Sequence, residues 1–448
     1  MRELFETDGI RGKANAYPMT PEMAMRLGQA LAVYFAKGDP QPRIVIGKDP
    51  RRSSYIFEFA VAAGACSMGA STYQLGPLPT PAIAFLTVSM RAQAGVVISA
   101  SHNPFSDNGI KVFGGDGFKL PDAMEEEIEG LMRDEQALKD RPTGADLGRA
   151  YRIEDASGRY IAFAKDTFPA HLTLRGLKIV VDCANGAAYK VAPSVFEELG
   201  ATVVELSVYP DGTNINRRCG ALHPDYVARV TAREKAHLGI ALDGDADRVI
   251  MVDEKGDVVD GDAIMALVAR NMLSNGTLKH NTVVATIMSN MGLEADLVRH
   301  GGRLVRTRVG DRYVLEELRR SGCNFGGEQS GHLIFLDHAT TGDGVVAALQ
   351  VLSCMLSRGM PLSELAAGME RFPQMSAQVP VRRKVPLAEV PVMARRIEEA
   401  NARLSSNGRT VVRYSGTESV LRIMVEGRDP VLVQQILEML VETARAQL

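Results

Sequence analysis

The chain has 448 residues, 51 Lys and Arg against 54 Asp and Glu, and 46% hydrophobic side chains, so it exceeds one compact core and is not globally disordered. A net charge of −3 gives no general attraction to nucleic acid or an anionic membrane. Trp is absent and aromatics are 6%, which argues against a stacking surface for bases or glycans.

No apolar run approaches the roughly 18–20 residues that cross a bilayer. The start, Met1-Arg2-Glu3-Leu4-Phe5, lacks the apolar centre of a signal peptide. Cys66, Cys183, Cys219, Cys323 and Cys354 are far apart with no C-x-x-C pair. They read as buried or incidental thiols in a reducing compartment, and a cytoplasmic location is expected.

Along the chain, three blocks repeat one architecture. Each opens on a β-branched run, at 43–47, 178–182 and 282–286. A helical stretch follows and stops at glycine: Gly69, Gly200, then Gly301-Gly302. Second strands are expected at 71–75, 202–208 and 303–309. Later strands at 95–99, 238–242 and 323–325 run into polar loops 100–104, 243–248 and 326–332. The alternation implies βαβ units with mixed, largely parallel sheets, whose ligands collect beyond the carboxyl ends of strands. The polar stretch 140–158 reads as a linker, with further breaks near 256–262 and 372–384. The tail reads as strands at 410–413 and 420–426 and a helix at 431–444. The expected fold is α/β: three related α/β domains (1–155, 156–256, 257–372) and a small α+β C-terminal domain (373–448) around a central cleft.

Five constellations carry chemistry. Asp243, Asp245 and Asp247 stand at spacing two, which on an extended segment points them to one face. Such carboxylates either form a solvated acidic turn or repel one another until a hard cation, Mg²⁺ or Ca²⁺, sits among them. An EF-hand is excluded because Arg248 falls where the loop needs Gly. The loop is expected to be solvent-exposed. Ser101, in Ser99-Ala100-Ser101-His102-Asn103-Pro104, is either a turn or capping residue or a nucleophile; a hydrolase elbow does not fit. Arg413-Tyr414-Ser415-Gly416-Thr417-Glu418 is a hairpin turn or a phosphate cradle, with Arg422 on the following strand. Glu328, Ser330 and His332 lie among glycines and could bracket sugar hydroxyls. Thr7-Asp8-Gly9-Ile10-Arg11-Gly12 aims a guanidinium from a tight turn. No Walker sequence is present, and Gly342-Asp343-Gly344 reads as a helix start rather than a dinucleotide loop.

Taken in this order, the five loops resemble those of the α-D-phosphohexomutase family across the whole chain. The resemblance implies a mutase that moves a phosphoryl group between two ends of a hexose phosphate. Ile10 and Gln329 favour the branch that interconverts glucosamine 6-phosphate and glucosamine 1-phosphate and feeds cell-wall precursors. Glucose or mannose phosphates are the alternative substrates, and a non-catalytic sugar-phosphate binder is the alternative class. The resemblance also implies roles. Ser101 carries the phosphoryl group and adds an oxygen to Mg²⁺ held by Asp243, Asp245 and Asp247, with Arg248 beside the metal. Arg11, Lys111, His102 and His332 serve the transfer, Lys111 being the expected general acid/base. Thr7, Glu328 and Ser330 contact substrate, and Arg413, Ser415, Gly416, Thr417 and Arg422 hold the non-reacting phosphate. Glucosamine 1,6-bisphosphate is the implied intermediate and activator, and a homodimer the implied assembly. No nucleic acid or membrane partner is expected.

Overall fold

A computed structural model describes residues 4–5, 9–39, 41–415 and 419–448; Thr7, Gly416 and Thr417 lie outside the described residues. Among the described residues, the strands form four sheets. The β-branched runs become central strands with both faces covered, and Ile44, Val45, Ile46, Ile179, Val180, Val181, Val283 and Val284 have no exposed surface.

The repeat seen in the sequence is a repeat of topology. In the first sheet Arg43–Lys48 is flanked by Ser71–Pro77 and Ala94–Ile98, both parallel to it, and Asp107–Gly114 pairs antiparallel with Ala94–Ile98. Lys178–Asp182, Thr202–Leu206, Leu238–Leu242 and Val249–Asp253 repeat this order in the second sheet. Thr282–Thr286, Arg303–Thr307, Phe325–Gly327 and Leu333–Phe335 repeat it in the third. Each first helix stops just before a glycine of positive φ: Gly69 at +90°, Gly200 at +103° and Gly301 at +81°. The sheets are thus mixed, and each polar loop is the turn between a third strand and its antiparallel fourth.

Two expectations need correction. The stretch 140–158 is not simply a linker: Ala150–Arg152 adds an edge strand parallel to Ser71–Pro77, and a helix begins at Ala156. Its side chains are exposed, and what holds the strand, backbone pairing and the Tyr151 ring stacked on Tyr73, comes from a remote strand. The tail also contains the strand Gln374–Pro380 and the helix Pro391–Leu404. That strand pairs with Val420–Gly427 across a long sequence separation, which local patterning does not register.

One continuous apolar cluster runs from the first unit (Val45, Ile83, Phe113) through the second (Ile179, Phe196) to the third (Val283, Leu349). The C-terminal unit has a core of its own, including Leu421, Ile423, Ile436 and Leu440. Among the described residues, no helix is long and apolar enough to cross a membrane.

Candidate active site

The loops after strands Ala94–Ile98 and Leu238–Leu242 meet back to back. A Cβ at Gly244 would lie 2.5 Å from the Ser101 carbonyl oxygen, so only glycine allows this approach. Ser101 is buried, and its Oγ donates to Asp243 Oδ2 at 2.6 Å, with His102 Nδ1 at 3.3 Å.

The acidic loop departs from expectation in two ways. It is a turn rather than an extended segment, with Ala246 at φ +56°. It is also buried: Asp243, Asp245 and Asp247 are 1%, 1% and 5% exposed. The turn nonetheless curls one oxygen of each carboxylate to within 4.8 Å of the others. Asp245 Oδ1 and Asp247 Oδ1 are buried without a hydrogen-bond partner among the described residues. Three buried carboxylates, two of them with such an oxygen, fit a hard divalent cation, because leaving their charge undercompensated is costly. Burial, then Asp247 and Asp245, pushes the Asp243 carboxyl well above the usual carboxylate range. Burial acts on Asp247 too, but Lys111, His332 and Arg248 outweigh it and hold that carboxyl well below the usual range.

The cations come from separate units. Lys111, opposite Val97 in the first sheet, places Nζ 3.1 Å from Asp245 Oδ2 and 3.6 Å from Asp247 Oδ2. Arg248 donates its backbone N–H to Asp243 Oδ1 at 3.1 Å, and its Nε lies 3.8 Å from Asp247. His332 pairs with Arg248 in an isolated bridge; its ring stands 3.6 Å from Asp247 and 3.7 Å from Asp311. Burial alone would lower His332, yet Asp247 and Asp311 raise it. Arg11 lies opposite Gly109 on the strand beside the serine loop. Burial, then Arg248 and Arg11, brings His102 down to about 4 and keeps its ring neutral at physiological pH.

Glu328 accepts from Gly310 N at 3.0 Å and from Ser330 Oγ at 3.4 Å. Arg413 and Arg422 face each other across the hairpin of the C-terminal unit. They line a different cavity of about 390 Å³, with Met288 and Val309 of the third unit and Gln378. Arg413 Nε has no hydrogen-bond partner among the described residues, and burial, then Arg422, lowers its pKa. Two desolvated guanidinium groups side by side suit an anion. Ser415 is buried at the end of this strand.

Several neighbours escaped sequence reasoning. Thr80 donates its backbone N–H to Asp245 O at 2.9 Å and its hydroxyl to Asp245 Oδ2 at 2.7 Å. Asp49 and Arg51 are fully buried beneath the serine loop; the polar run directly after strand 43–48 was a usable signal for them. Asn216, which reaches Ser101 O from the second unit, had no local signal.

A buried hydroxyl against a triple-carboxylate turn that suits a metal, ringed by cations at strand carboxyl ends, marks a phosphoryl-transfer type of α/β protein. Signatures described as "Phosphoglucomutase/phosphomannomutase" match the alpha/beta/alpha domains I, II and III at residues 2–139, 159–256 and 260–372, and the C-terminal domain at 377–443. A phosphoglucosamine mutase from Anaeromyxobacter sp. (strain Fw109-5) is 60% identical over 432 residues, covering 96% of this chain and 92% of the relative. The fold matches a phosphoglucomutase/phosphomannomutase family protein from Burkholderia thailandensis, with TM-score 0.82, 23% identity and coverage of 99% and 97% of the two chains. It also matches Aspergillus fumigatus N-acetylphosphoglucosamine mutase in complex with GlcNAc-6P and magnesium, with TM-score 0.71, 17% identity and coverage of 99% and 96%. The chain belongs to the phosphoglucomutase/phosphomannomutase family.

Proposed function

We propose that the protein is a phosphoglucosamine mutase, interconverting glucosamine 6-phosphate and glucosamine 1-phosphate through a phosphorylated Ser101 and a 1,6-bisphosphate that turns over within the cleft. The observation that carries this is the Ser101 hydroxyl 2.6 Å from Asp243, inside the buried triad. The high identity to phosphoglucosamine mutases supports the choice of sugar.

The residues divide the work as phosphoryl transfer requires: positioning and charge neutralisation. Asp243, Asp245 and Asp247 hold Mg²⁺, which when bound offsets charge on the transferring group. In the forward half-reaction the bond from phosphorus to Ser101 Oγ breaks, and a bond to a sugar hydroxyl oxygen forms. The hydroxyl proton leaves to a base, and Ser101 Oγ gains a proton. His102, with Nδ1 3.3 Å from Oγ, takes the Oγ proton when the serine is phosphorylated and returns it when that bond breaks, and Lys111, among the carboxylates, is the general acid/base on the sugar side. Arg11, Arg248 and His332 supply further positive charge at the transfer site. Thr7, Glu328 and Ser330 hold sugar hydroxyls. Arg413, Ser415, Gly416, Thr417 and Arg422 hold the phosphate that is not reacting. The reverse half-reaction presents the other end of the sugar to the same oxygen, so the far phosphate needs a pocket on a separable element. The proposal extends to four domains at 1–155, 156–256, 257–372 and 373–448, a cytoplasmic enzyme and a homodimer.

Intact mass of the purified protein before and after glucosamine 6-phosphate tests the intermediate. Gain or loss of one phosphate, absent in Ser101→Ala, is expected; full turnover by Ser101→Ala contradicts the mechanism. Relative turnover of the glucosamine, glucose and mannose 6-phosphates tests the sugar, and an approximately tenfold preference for glucose or mannose overturns the choice.

A further inference from the structure

Ser101 sits on a backbone that serine does not favour. Its φ is +50°, in the left-handed region that non-glycine residues hold only when their surroundings enforce it. Here the surroundings converge on the Ser101 carbonyl oxygen. Arg51 Nη2 donates to it at 2.8 Å from the first unit, and Asn216 Nδ2 at 2.8 Å from the second.

Each donor is itself fixed. Arg51 is fully buried; its Nε donates to Asp49 Oδ2 at 2.7 Å. Its Nη1 donates to Pro104 O, and to Asp107 O at 3.2 Å, so one guanidinium ties both ends of loop 101–107. Asp49 also accepts from Ser99 Oγ at 2.7 Å, and Ser99 Oγ accepts from Ser101 N at 2.9 Å. Asn216 reaches Asn103 O as well, at 3.2 Å, and its own backbone is left-handed at φ +57°. Both polar groups of the Ser101 backbone are therefore pinned, by side chains of two units.

We propose that Arg51 and Asn216 are positioning residues for phosphoryl transfer, clamping the Ser101 carbonyl from two units so that its Oγ stays at the aspartate cluster. The proposal rests on Ser101 being the phosphoryl carrier. Before a cation offsets the charge, a phosphoserine dianion beside three carboxylates is pushed outward by like charge. A loop held only by its own turn would relax toward ordinary backbone angles and carry Oγ away. Both side chains act on the backbone of the loop, so removing either changes where the oxygen sits without removing a charge from the metal turn.

Asn216→Gly keeps the left-handed backbone and deletes the donor; Arg51→Lys keeps the buried charge opposite Asp49 and deletes the fork. Starting from protein whose Ser101 phosphate content is known by intact mass, transfer to glucosamine 6-phosphate is followed in a single turnover. Steady-state kcat, KM and the melting temperature are measured alongside. The transfer rate and kcat of Asn216→Gly should fall about 10–100-fold with KM and melting temperature nearly unchanged. Because both donors serve one oxygen, the double variant should lose less than the product of the single losses. A kcat within about twofold of wild type, a loss confined to KM, or losses that simply multiply would overturn the clamp. If Arg51→Lys does not fold, Asn216→Asp decides instead. It keeps the shape but faces the carbonyl with an acceptor, and activity above that of Asn216→Gly counts against the proposal. Wild-type protein that never carries phosphate on Ser101 defeats the mutase reading; wild type that does, beside variants equally fast, defeats the clamp alone.

Discussion

At the scale of single residues, the acidic turn is a frustrated cluster. Asp243 is buried against two other carboxylates, and its charged form is disfavoured by burial and by those neighbours. Lys111, Arg248 and His332 offset part of the charge, but two carboxylate oxygens have no hydrogen-bond partner among the described residues. Such a site is organised for a ligand at some expense to the apo fold. Asp243→Asn should therefore melt higher than wild type in chelator, while wild type rises on adding Mg²⁺ and the variant does not. Turnover of the variant should fall about 100-fold or more, as for loss of a central electrostatic group. Thermal melts with EDTA and with Mg²⁺ check this; equal Mg²⁺ stabilisation of both proteins would remove Asp243 from the metal site.

At the scale of elements, the same four-strand order appears three times, and each copy spends its third-to-fourth turn on polar chemistry. Supporting parts are built from local capping. Asp343 starts the helix Gly344–Arg358, accepting from Val345 N and Val346 N at 3.0 Å each and from the Tyr160 hydroxyl at 3.0 Å. Burial pushes its carboxyl up to about 6. The folded state thus holds this proton more tightly than the unfolded chain, whose ordinary value is 3.8. The resulting stability is fully present below pH 3.8 and is lost as pH rises through about 6. Asp343→Asn keeps the capping oxygen without titrating, so its stability relative to wild type should grow from pH 4 to pH 7. Denaturant midpoints across that range check it, and a constant difference would mean that Asp343 does not titrate there. Asp343→Ala should cost about 1–2 kcal/mol near pH 4 through the lost cap, and less as pH rises toward 7, because the wild type loses its proton-linked stability there.

At the scale of the molecule, three units share one apolar core and the fourth keeps its own. The C-terminal unit is seated on the third by polar contacts. Glu426, fully buried, accepts from Met291 N at 2.6 Å and from Arg409 Nε at 2.9 Å, and Arg409 Nη2 donates to Ser289 O at 2.7 Å. Polar seats break and reform more readily than a shared apolar core, which suits the admission and release of a sugar phosphate proposed for this unit. Glu426→Ala should raise KM for glucosamine 6-phosphate about tenfold, since the arginine pair of the cavity is then no longer held over its site, with a smaller change in kcat. An unchanged KM would mean that this seat does not govern substrate capture.

Much of this molecule is written locally in its sequence. β-branched runs, glycine stops and polar loops at strand ends mark the repeated units, because each is a short-range preference of the backbone. The serine, the acidic turn and the arginine hairpin are legible for the same reason: their chemistry lies within a few residues. Burial and pairing are not local. The aspartate turn read as exposed because three carboxylates beside one arginine look solvated until Lys111 and His332 arrive from two other sheets or loops. Ala150–Arg152 and Gln374–Pro380 were missed because backbone bonds to remote strands hold them. Asn216 had no signal, since it acts only by reaching a carbonyl in another unit. Which charge neutralises which, and what pins the serine, depend on contacts between distant segments, and only packing decides those.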